Sequence, residues 1–374
     1  MKKLLTLLLA STLILAACQA ALPNPLPTNA TVDSQAGVSK PTESASSNKP
    51  TTLTVMTHDS FAVTKEVVEK FEVDNGIKVN FVKGGDVGKA LNTLILSSKA
   101  GTPPADVFYG VDNTFLSQAL ENELFEPYAA PALQEVDDAL KLDPKSGALP
   151  IDYGDVCINY DKTYFKEHQL AVPTSFSELT DPKYKGLLAV ENPATSSPGL
   201  AFLLATIGSM GRENAMQWWE AMKLNDVVVV NDWETAYYTN FSASSGKGPQ
   251  PMVVSYASSP AAEYIYADPK VAESPTASIT ADGTCWRQIE FAGIIRGTKN
   301  RAAAEKFLDF LLSLPFQEDM PMQMFVYPVI KGAKLPQDFI DQSQVPAVPA
   351  ALSPAEIAKN RSSYIEAWTE LMMK

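Results

Sequence analysis

The side chains best placed to do chemistry in this sequence are those that could hold a small molecule. Trp233 follows a short apolar run at a predicted strand-to-helix turn, and Tyr256 ends another predicted strand. Ser196 and Ser197 stand just before a predicted helix, where hydroxyls and free N–H groups can hold an anion. Each also has a structural explanation, because aromatic rings fill cores and one hydroxyl suffices to cap a helix. The pattern predicts a binding site at the ends of strands.

Residues suited to catalysis are scarce, and we expect no enzyme. Two histidines and three cysteines leave almost nothing for a zinc site or for a Cys/His nucleophile pair. A surface hydrolase is the alternative from another class, but the residues around Ser255 do not form a Gly-x-Ser-x-Gly turn. Its base would have to be His58 or His168, and His168 lies in a polar helix end. The glycine-rich turn before Lys89 lacks the phosphate-loop spacing, because Ala90 follows. We therefore expect no cofactor and no bound metal.

The composition is that of a globular protein. The chain has 374 residues, of which 45% are apolar and 20% are charged, enough for two domains with real cores. It carries 30 basic and 43 acidic side chains, a net charge of −13 at pH 7. Because nucleic-acid binding needs clustered cations, this balance argues against a nucleic-acid partner.

The N-terminus indicates export. Lys2 and Lys3 precede an apolar run over residues 4–17, which is shorter than the roughly 18–20 residues that span a bilayer. The run ends in two alanines before Cys18, and this resembles a bacterial lipobox, whose cysteine is acylated. We predict a signal peptide over residues 1–17, a lipid on Cys18 and a flexible tether over residues 18–51. An ordinary signal peptide is the alternative. The protein is expected outside the cytoplasm, anchored by its lipid to the cell membrane, in the periplasm or at the cell surface.

Two more cysteines lie in the body of the chain. Cys157 and Cys285 would be exposed to an oxidising compartment, where a disulfide between them is plausible. Two buried free thiols are the alternative.

The body beyond the tether alternates predicted strands with predicted helices. Residues 53–57 and 77–82 are typical of strands, and the amphipathic stretch between them predicts a helix capped by Asp59 or Ser60. The same alternation returns over residues 227–266, and residues 353–373 predict a last helix with Ser353 as its cap. Such alternation is typical of an α/β fold with mainly parallel sheets flanked by helices. We expect two lobes, with ligands at strand ends or in a cleft between the lobes.

Nine short stretches are similar to those of a known family. They are residues 57–61 (THDSF), 110–113 (GVDN), 150–154 (PIDYG), 192–199 (NPATSSPG), 233–237 (WETAY), 255–260 (SYASSP), 288–290 (QIE), 327–329 (YPV) and 353–356 (SPAE). In this order they resemble the thiamine-binding periplasmic proteins of ABC importers, which have the type II solute-binding fold. The resemblance implies two lobes joined by hinge strands, with both body cysteines near the hinge. It implies a monomeric binding protein that closes on its ligand and delivers it to a membrane permease. The lobes are expected over residues 52–152 plus 288–374 and over residues 153–287.

The same resemblance implies a ligand and a set of binding residues. Thiamine has a cationic thiazolium, an aminopyrimidine and an arm that can carry phosphate, so its site needs aromatic faces, a carboxylate and polar donors. Trp233, Tyr256 and Asp86 match residues of the family site, whereas His58 replaces a stacking tyrosine and Phe325 a tryptophan. The solute is expected to be thiamine, a phosphate ester of it or another small heteroaromatic cation. The expected ligand-binding residues are His58, Asp59, Asp86, Ser196, Ser197, Trp233, Tyr237, Tyr256 and Phe325.

A ferric-iron-binding protein of the same superfamily is the second interpretation. Such proteins often bind the metal through adjacent tyrosines, and Tyr237 and Tyr238 form such a pair. The structural alternative is a helical pair with one ring in the core.

Overall fold

The computed structural model describes residues 50–244 and 247–374. The predicted signal peptide, Cys18 and the tether up to residue 49 lie outside the described residues, as do residues 245 and 246. Within the described ranges, no helix is both long enough and apolar enough to cross a membrane.

Eleven strands of the described chain join in a single sheet. The strands are β1 (Thr51–Thr57), β2 (Ile77–Lys83), β3 (Val107–Asp112), β4 (Phe125–Glu126), β5 (Leu149–Asp161), β6 (Leu188–Glu191), β7 (Val228–Val230), β8 (Met252–Tyr256), β9 (Thr276–Ile279), β10 (Trp286–Ile295) and β11 (Tyr327–Pro328).

Helices follow most of these strands, as the sequence predicted. The α-helices are α1 (Lys65–Asn75), α2 (Val87–Lys99), α3 (Leu116–Glu121), α4 (Lys162–Glu167), α5 (Ser197–Met210), α6 (Arg212–Leu224), α7 (Ser259–Ile265), α8 (Arg301–Leu311), α9 (Leu314–Gln317), α10 (Met320–Gln323), α11 (Gln337–Gln342) and α12 (Pro354–Met373). Short 3-10 helices cover Pro131–Glu135, Asp138–Leu140, Ser177–Thr180 and Pro182–Tyr184, and a π-helix covers Thr235–Asn240.

The sheet has parallel pairs at its two ends and antiparallel pairs in its middle. Its main path runs β2-β1-β3-β10-β5-β8-β6-β7. β1 pairs in parallel with β2 and β3, and β6 pairs in parallel with β7 and β8. β5 and β10 run antiparallel to each other and to their other neighbours on this path. The parallel pairing expected from alternating strands and helices therefore holds at the two ends, and the long middle strands join them.

Two lobes form around the two ends of the sheet. The first lobe surrounds β1, β2 and β3, and the second surrounds β6, β7 and β8. β5 is 13 residues long and serves both, since its residues 149–156 pair with β10 and its residues 156–161 pair with β8 and β9. The strands β5 and β10 are thus the structural link between the lobes.

A disulfide ties these two linking strands together. Cys157 lies in β5 and Cys285 directly precedes β10, and the two Cα atoms are 4.4 Å apart. Both residues are fully buried against Ala257. The pairing that the sequence made plausible is therefore present in the structure.

The first helix begins later than the sequence predicted. α1 starts at Lys65, with Thr64 in the capping position, and neither Asp59 nor Ser60 caps it. The Asp59 carboxylate instead accepts a hydrogen bond from the Gly85 backbone amide at 3.1 Å. The predicted cap was wrong because this partner lies 26 residues further along the chain. The freed segment 58–64 becomes a loop at the carboxyl end of β1.

The last helix fulfils its prediction and lies across both lobes. The Ser353 hydroxyl caps α12 by accepting a hydrogen bond from the Glu356 amide at 3.2 Å. Trp368 contacts Trp219 of α6, with ring centroids 5.5 Å apart. The guanidinium of Arg361 lies 5.6 Å from the ring centroid of Phe115, beside α3. The helix α12 therefore contacts both lobes.

Candidate functional site

A cavity of about 310 Å³ gathers most of the predicted binding residues. This volume falls at the lower end of the roughly 300–1,000 Å³ of ligand pockets. Ser196 does not line the cavity and is fully buried behind its wall. The other eight predicted residues line it: His58, Asp59, Asp86, Ser197, Trp233, Tyr237, Tyr256 and Phe325.

The strand ends explain why these residues meet. His58 directly follows β1, and Tyr256 is the last residue of β8. Trp233 follows β7 after a two-residue turn. Because β1 belongs to the first lobe and β7 and β8 to the second, the cavity lies where the carboxyl ends of both sets of strands converge. This is the position at which α/β proteins bind ligands.

Aromatic rings of the second lobe form one wall. Trp233 stacks on Tyr237 with ring centroids 5.0 Å apart and an interplanar angle of 17°. Its indole N–H donates to the Ser255 hydroxyl at 3.0 Å, which fixes the orientation of the ring. Tyr256 meets Trp233 edge to face at 6.5 Å. The wall therefore presents oriented aromatic faces, which favour flat rings and cations.

Phe325 and Tyr266 extend the aromatic lining at the rim. Their ring centroids are 5.8 Å apart, and Tyr266 is largely exposed. Phe325 adopts a φ of 56°, a left-handed backbone conformation that is uncommon for an aromatic residue. Such backbone conformations cluster at ligand sites, where surrounding contacts hold them.

His58 occupies a tight position on the opposite side. It is buried, and burial lowers its pKa, so that the imidazole is neutral near pH 7. Its Nε2 lies 3.6 Å from a carboxylate oxygen of Glu290. Gly110 makes room for the ring, because a Cβ at that position would lie 2.4 Å from the imidazole Cδ2. With a φ of 103°, Gly110 also has a backbone conformation that side chains disfavour.

Three acidic residues stand side by side on three neighbouring strands beneath the cavity. Glu290 of β10 pairs in register with Asp112 of β3 on one side and with Asp152 of β5 on the other. All three are buried, and Glu290 also lines the cavity. Tyr109 donates a hydrogen bond to Asp152. We call Asp112, Asp152 and Glu290 the acidic row.

Burial sets the protonation of the acidic row. The pKa of Glu290 is raised to about 8, mainly by removal from water and secondly by the negative charge of Asp112. Burial likewise raises the pKa of Asp152, with the charge of Glu290 as the next cause, and the pKa of Asp112. The only lysine or arginine among the described residues lining the cavity is Lys83, which is exposed. The row therefore lacks a fixed positive charge from this lining.

Asp86 and the two serines lie where the lobes meet. The Asp86 carboxylate caps α2 by accepting the Val87 amide at 2.7 Å, and it also accepts the Trp233 amide at 3.3 Å. The Ser196 hydroxyl caps α5 by accepting the Gly199 amide at 3.5 Å. Ser197 accepts a hydrogen bond from the side-chain amide of Gln288. These polar groups, which the sequence suggested as holders of an anion, thus have protein partners.

The two adjacent tyrosines differ in the orientation of their rings and in burial. Their rings are nearly perpendicular, at 87°. The Tyr237 hydroxyl donates to Glu263 at 2.8 Å and its ring is buried, whereas Tyr238 is about half exposed. Within the described ranges, no group of three or more His, Cys, Asp and Glu residues is arranged to hold a metal ion. The geometry thus favours the structural alternative for this pair.

Several lining residues were not predicted from the sequence. Lys83, Tyr266 and Glu290 all line the cavity, as does Tyr238, which the sequence suggested only as an iron ligand. A signal existed for Glu290, because Gln288 and Glu290 are two residues apart and would share one face of a strand. A pair of polar side chains on one face of a buried strand could have indicated a site.

Comparison with known proteins identifies relatives over most of the chain. Residues 66–347 match the model of a protein family described as bacterial extracellular solute-binding protein. The thiamine-binding periplasmic protein of Salmonella typhimurium is 32% identical over 321 residues, which are 84% of this chain and 92% of that protein. The Escherichia coli protein of the same name is also 32% identical, over 84% of this chain and 92% of its own length. A solved structure of a periplasmic thiamin binding protein superposes with a TM-score of 0.75 at 30% identity, covering 86% of this chain and 96% of the other.

Proposed function

Because this chain belongs to the bacterial extracellular solute-binding proteins, we propose that it captures thiamine, or a closely related heteroaromatic cation, in the cavity between its lobes. Members of this family are binding components of transporters and not enzymes, and the chain accordingly acts outside the cytoplasm with an ABC permease. The names of its relatives support thiamine as the solute.

The observation that carries the proposal is the pairing of an aromatic wall with an acidic row in one cavity. Trp233 and Tyr256 offer ring faces, and Glu290 offers a carboxyl group to the same space. A buried carboxylate is costly unless a positive charge pairs with it. Since the lining supplies only the exposed Lys83, a cationic ligand would provide the missing charge. A flat ring on Trp233 would add stacking and cation–π attraction.

The ligand would contact the eight predicted residues that line the cavity, namely residues 58, 59, 86, 197, 233, 237, 256 and 325. Residue 196 would act through its contact with the α5 N-terminus. The ferric-iron alternative has weaker support, because Tyr237 donates its hydroxyl to Glu263 and the two adjacent tyrosine rings diverge.

The organisation of the rest of the protein is part of the same proposal. We propose lobes over residues 52–152 plus 288–374 and over residues 153–287, a division that the sharing of β5 and β10 supports. The contact of α12 with α6 means that the C-terminal segment touches both lobes. A lipid on Cys18 and the tether up to residue 51 would hold a monomer near its permease.

Calorimetric titration tests the proposal directly. The chain without its first 17 residues, carrying Cys18→Ser so that no lipid is added, should bind thiamine with a micromolar or lower Kd. Trp233→Ala should weaken binding at least tenfold, since it removes the central stacking face. Tyr128→Phe, an aromatic change outside the cavity, is the matched control and should bind normally. A folded wild-type protein that gives no binding heat with thiamine or its phosphates would disprove the proposal.

A further inference from the structure

His58 stands between a buried carboxyl group and the protein surface. Its ring is buried, and its Nε2 lies 3.6 Å from a carboxyl oxygen of Glu290, which is buried as well. On the other side of the ring, Nδ1 lies 3.4 Å from the hydroxyl of Ser60, which is exposed. The imidazole therefore connects a group that is removed from water with a group that water reaches.

The surroundings of the ring hold it in this position. A Cβ at Gly110 would lie 2.4 Å from the imidazole Cδ2, so the backbone is close against one edge. The rings of Tyr109 and Phe61 have centroids 6.0 and 6.4 Å from that of His58. Nε2 has no hydrogen-bond partner among the described residues, and such a buried atom is costly. Shortening the distance to Glu290 by about 0.4 Å would give it one.

The carboxyl group of Glu290 is mostly neutral at pH 7 in the ligand-free site. Burial is the main reason that its pKa is raised to about 8, and negative charge on Asp112 or Asp86 acts in the same direction. Its interaction with Asp152 opposes this effect without cancelling it. The titratable groups around Glu290, besides His58, are Asp86, Asp112, Asp152, Tyr109 and Tyr256.

The imidazole of His58 is neutral at the same pH. Burial lowers its pKa, and this effect exceeds the opposing one of nearby negative charge. The titratable and charged groups around the ring, besides Glu290, are Asp59, Lys83, Asp86 and Asp152. A neutral imidazole has one N–H donor and one acceptor nitrogen, so the hydrogen lies either on Nδ1 or on Nε2.

The charge of Glu290 decides which nitrogen carries this hydrogen. A neutral carboxyl group has an O–H to donate, whereas an ionised one can only accept. Beside a neutral Glu290, Nε2 is the acceptor and the hydrogen lies on Nδ1. Beside an ionised Glu290, Nε2 must be the donor and Nδ1 becomes the acceptor. The Ser60 hydroxyl fits both arrangements, because it can accept from Nδ1 or donate to it.

We propose that His58 is the proton partner of Glu290 and changes tautomer when a cation enters the cavity. When the cation pairs with Glu290, the carboxyl O–H bond breaks and an Nε2–H bond forms. The Nδ1–H bond breaks at the other side of the ring, and its proton passes by way of the Ser60 hydroxyl to water. One proton leaves the protein, the imidazole stays neutral, and one negative charge remains on Glu290. This inference rests on the proposed function, because it states how the site gains the charge that a cationic ligand needs.

Nitrogen-15 NMR of the protein labelled at histidine tests the inference. The chain has only two histidines, and protonated and unprotonated ring nitrogens give separate signals. At pH 7 without ligand, His58 should carry its hydrogen on Nδ1, and saturating thiamine should move it to Nε2. His168, which is exposed and outside the cavity, is the internal control and should not respond. The variant His168→Gln removes its signals and so assigns those of His58.

Ionisation of Glu290 by pH should produce the same change without a ligand. Between pH 6 and pH 9, the hydrogen of His58 should move from Nδ1 to Nε2 with a midpoint near 8, the pKa of Glu290. In Glu290→Gln, no proton can leave residue 290. The tautomer of His58 in that variant should therefore be the same at both pH values, and the same with and without thiamine.

The outcomes separate this inference from the proposed function. If the wild type binds thiamine while His58 keeps one tautomer or becomes a charged imidazolium, the inference is wrong and the proposed function stands. A tautomer change that persists in folded Glu290→Gln would overturn the role of Glu290. A folded wild type that binds no thiamine would overturn the proposed function and the change driven by a cation. The pH titration of the ligand-free wild type would still decide whether His58 and Glu290 are proton partners.

Discussion

The backbone amide of Gly88 donates a hydrogen bond to the Thr195 carbonyl at 3.1 Å and so joins the first lobe to the second. Gly88 lies in the first turn of α2, and Thr195 lies in the loop before α5. Asp86 adds a second link at the same place through the Trp233 amide. The two lobes are therefore in direct contact at the edge of the cavity, as in a binding protein closed over its site.

A side chain at position 88 should hinder this closure. A Cβ there would lie 2.9 Å from the carbonyl oxygens of both Ala194 and Thr195, and neither backbone group can move aside without moving the second lobe. We expect Gly88→Val to weaken thiamine binding at least tenfold. Small-angle scattering with saturating ligand should give a larger radius of gyration than for the wild type. Thr93→Ala, an exposed change in the same helix, is the control. Wild-type affinity in Gly88→Val would contradict the role of this contact.

Binding of a cation should strengthen as the pH rises toward 8. The pKa of Glu290 is raised by burial to about 8, so most of the population carries a neutral carboxyl group at pH 7. A cation favours the ionised form, so each pH unit below 8 costs up to about tenfold in affinity if one proton must leave. Titrations from pH 6 to pH 8.5 should show this trend in the wild type and a flatter one in Glu290→Gln. A pH-independent Kd in the wild type would exclude proton release on binding.

The stability of the ligand-free protein should change with pH in the opposite direction. Glu290 has a folded-state pKa of about 8 against an ordinary value of 4.5, so the folded state binds its proton more tightly than the unfolded state does. Its contribution to stability is present in full below pH 4.5 and is lost as the pH rises to about 8. One such group lowers the free energy of unfolding by up to about 1.4 kcal/mol per pH unit in that window. Urea unfolding at pH 6 and pH 8 should show a smaller difference for Glu290→Gln than for the wild type.

Removing the disulfide should lower stability more than affinity. The bond closes a loop over a sequence separation of 128 residues, and loss of a native disulfide typically costs about 2–5 kcal/mol. Neither cysteine lines the cavity. We expect Cys157→Ala combined with Cys285→Ala to lower the melting temperature while the thiamine Kd stays within a few-fold. Wild-type protein under reducing conditions should behave in the same way. An unchanged melting temperature would mean that the bond does not constrain the unfolded chain.

The sequence predicted the secondary-structure elements well, but it did not predict the acidic row beneath the cavity. The α/β alternation, the Ser353 cap and the placement of Trp233 and Tyr256 at strand ends depend on local patterns, and the structure has all of them. Glu290 was missed because its importance comes from its register with Asp112 and Asp152 on other strands. Such pairing depends on sheet order, which a single strand does not encode.

The same limit explains why the hydrogen-bond partners near the two helix starts were not predicted. Asp59 resembles a helix cap in the sequence, but it binds the Gly85 amide of a neighbouring turn. Ser196 and Ser197 resemble an anion site, but the sequence cannot show that Gln288, 91 residues beyond Ser197, reaches the Ser197 hydroxyl. The sequence predicts which type of group a polar side chain near a helix start will bond to, but it does not predict which residue supplies that group.

The disulfide should also hold the molecule together after a single proteolytic cut between the two cysteines. The strands β6, β7, β8 and β9 all lie between Cys157 and Cys285, so the bond makes this part of the second lobe a covalent ring. A protease that cuts the backbone once within the ring opens it without releasing a fragment. Both ends of the cut remain attached through β5 and β10, and so a nicked molecule stays one molecule until its cysteines are reduced.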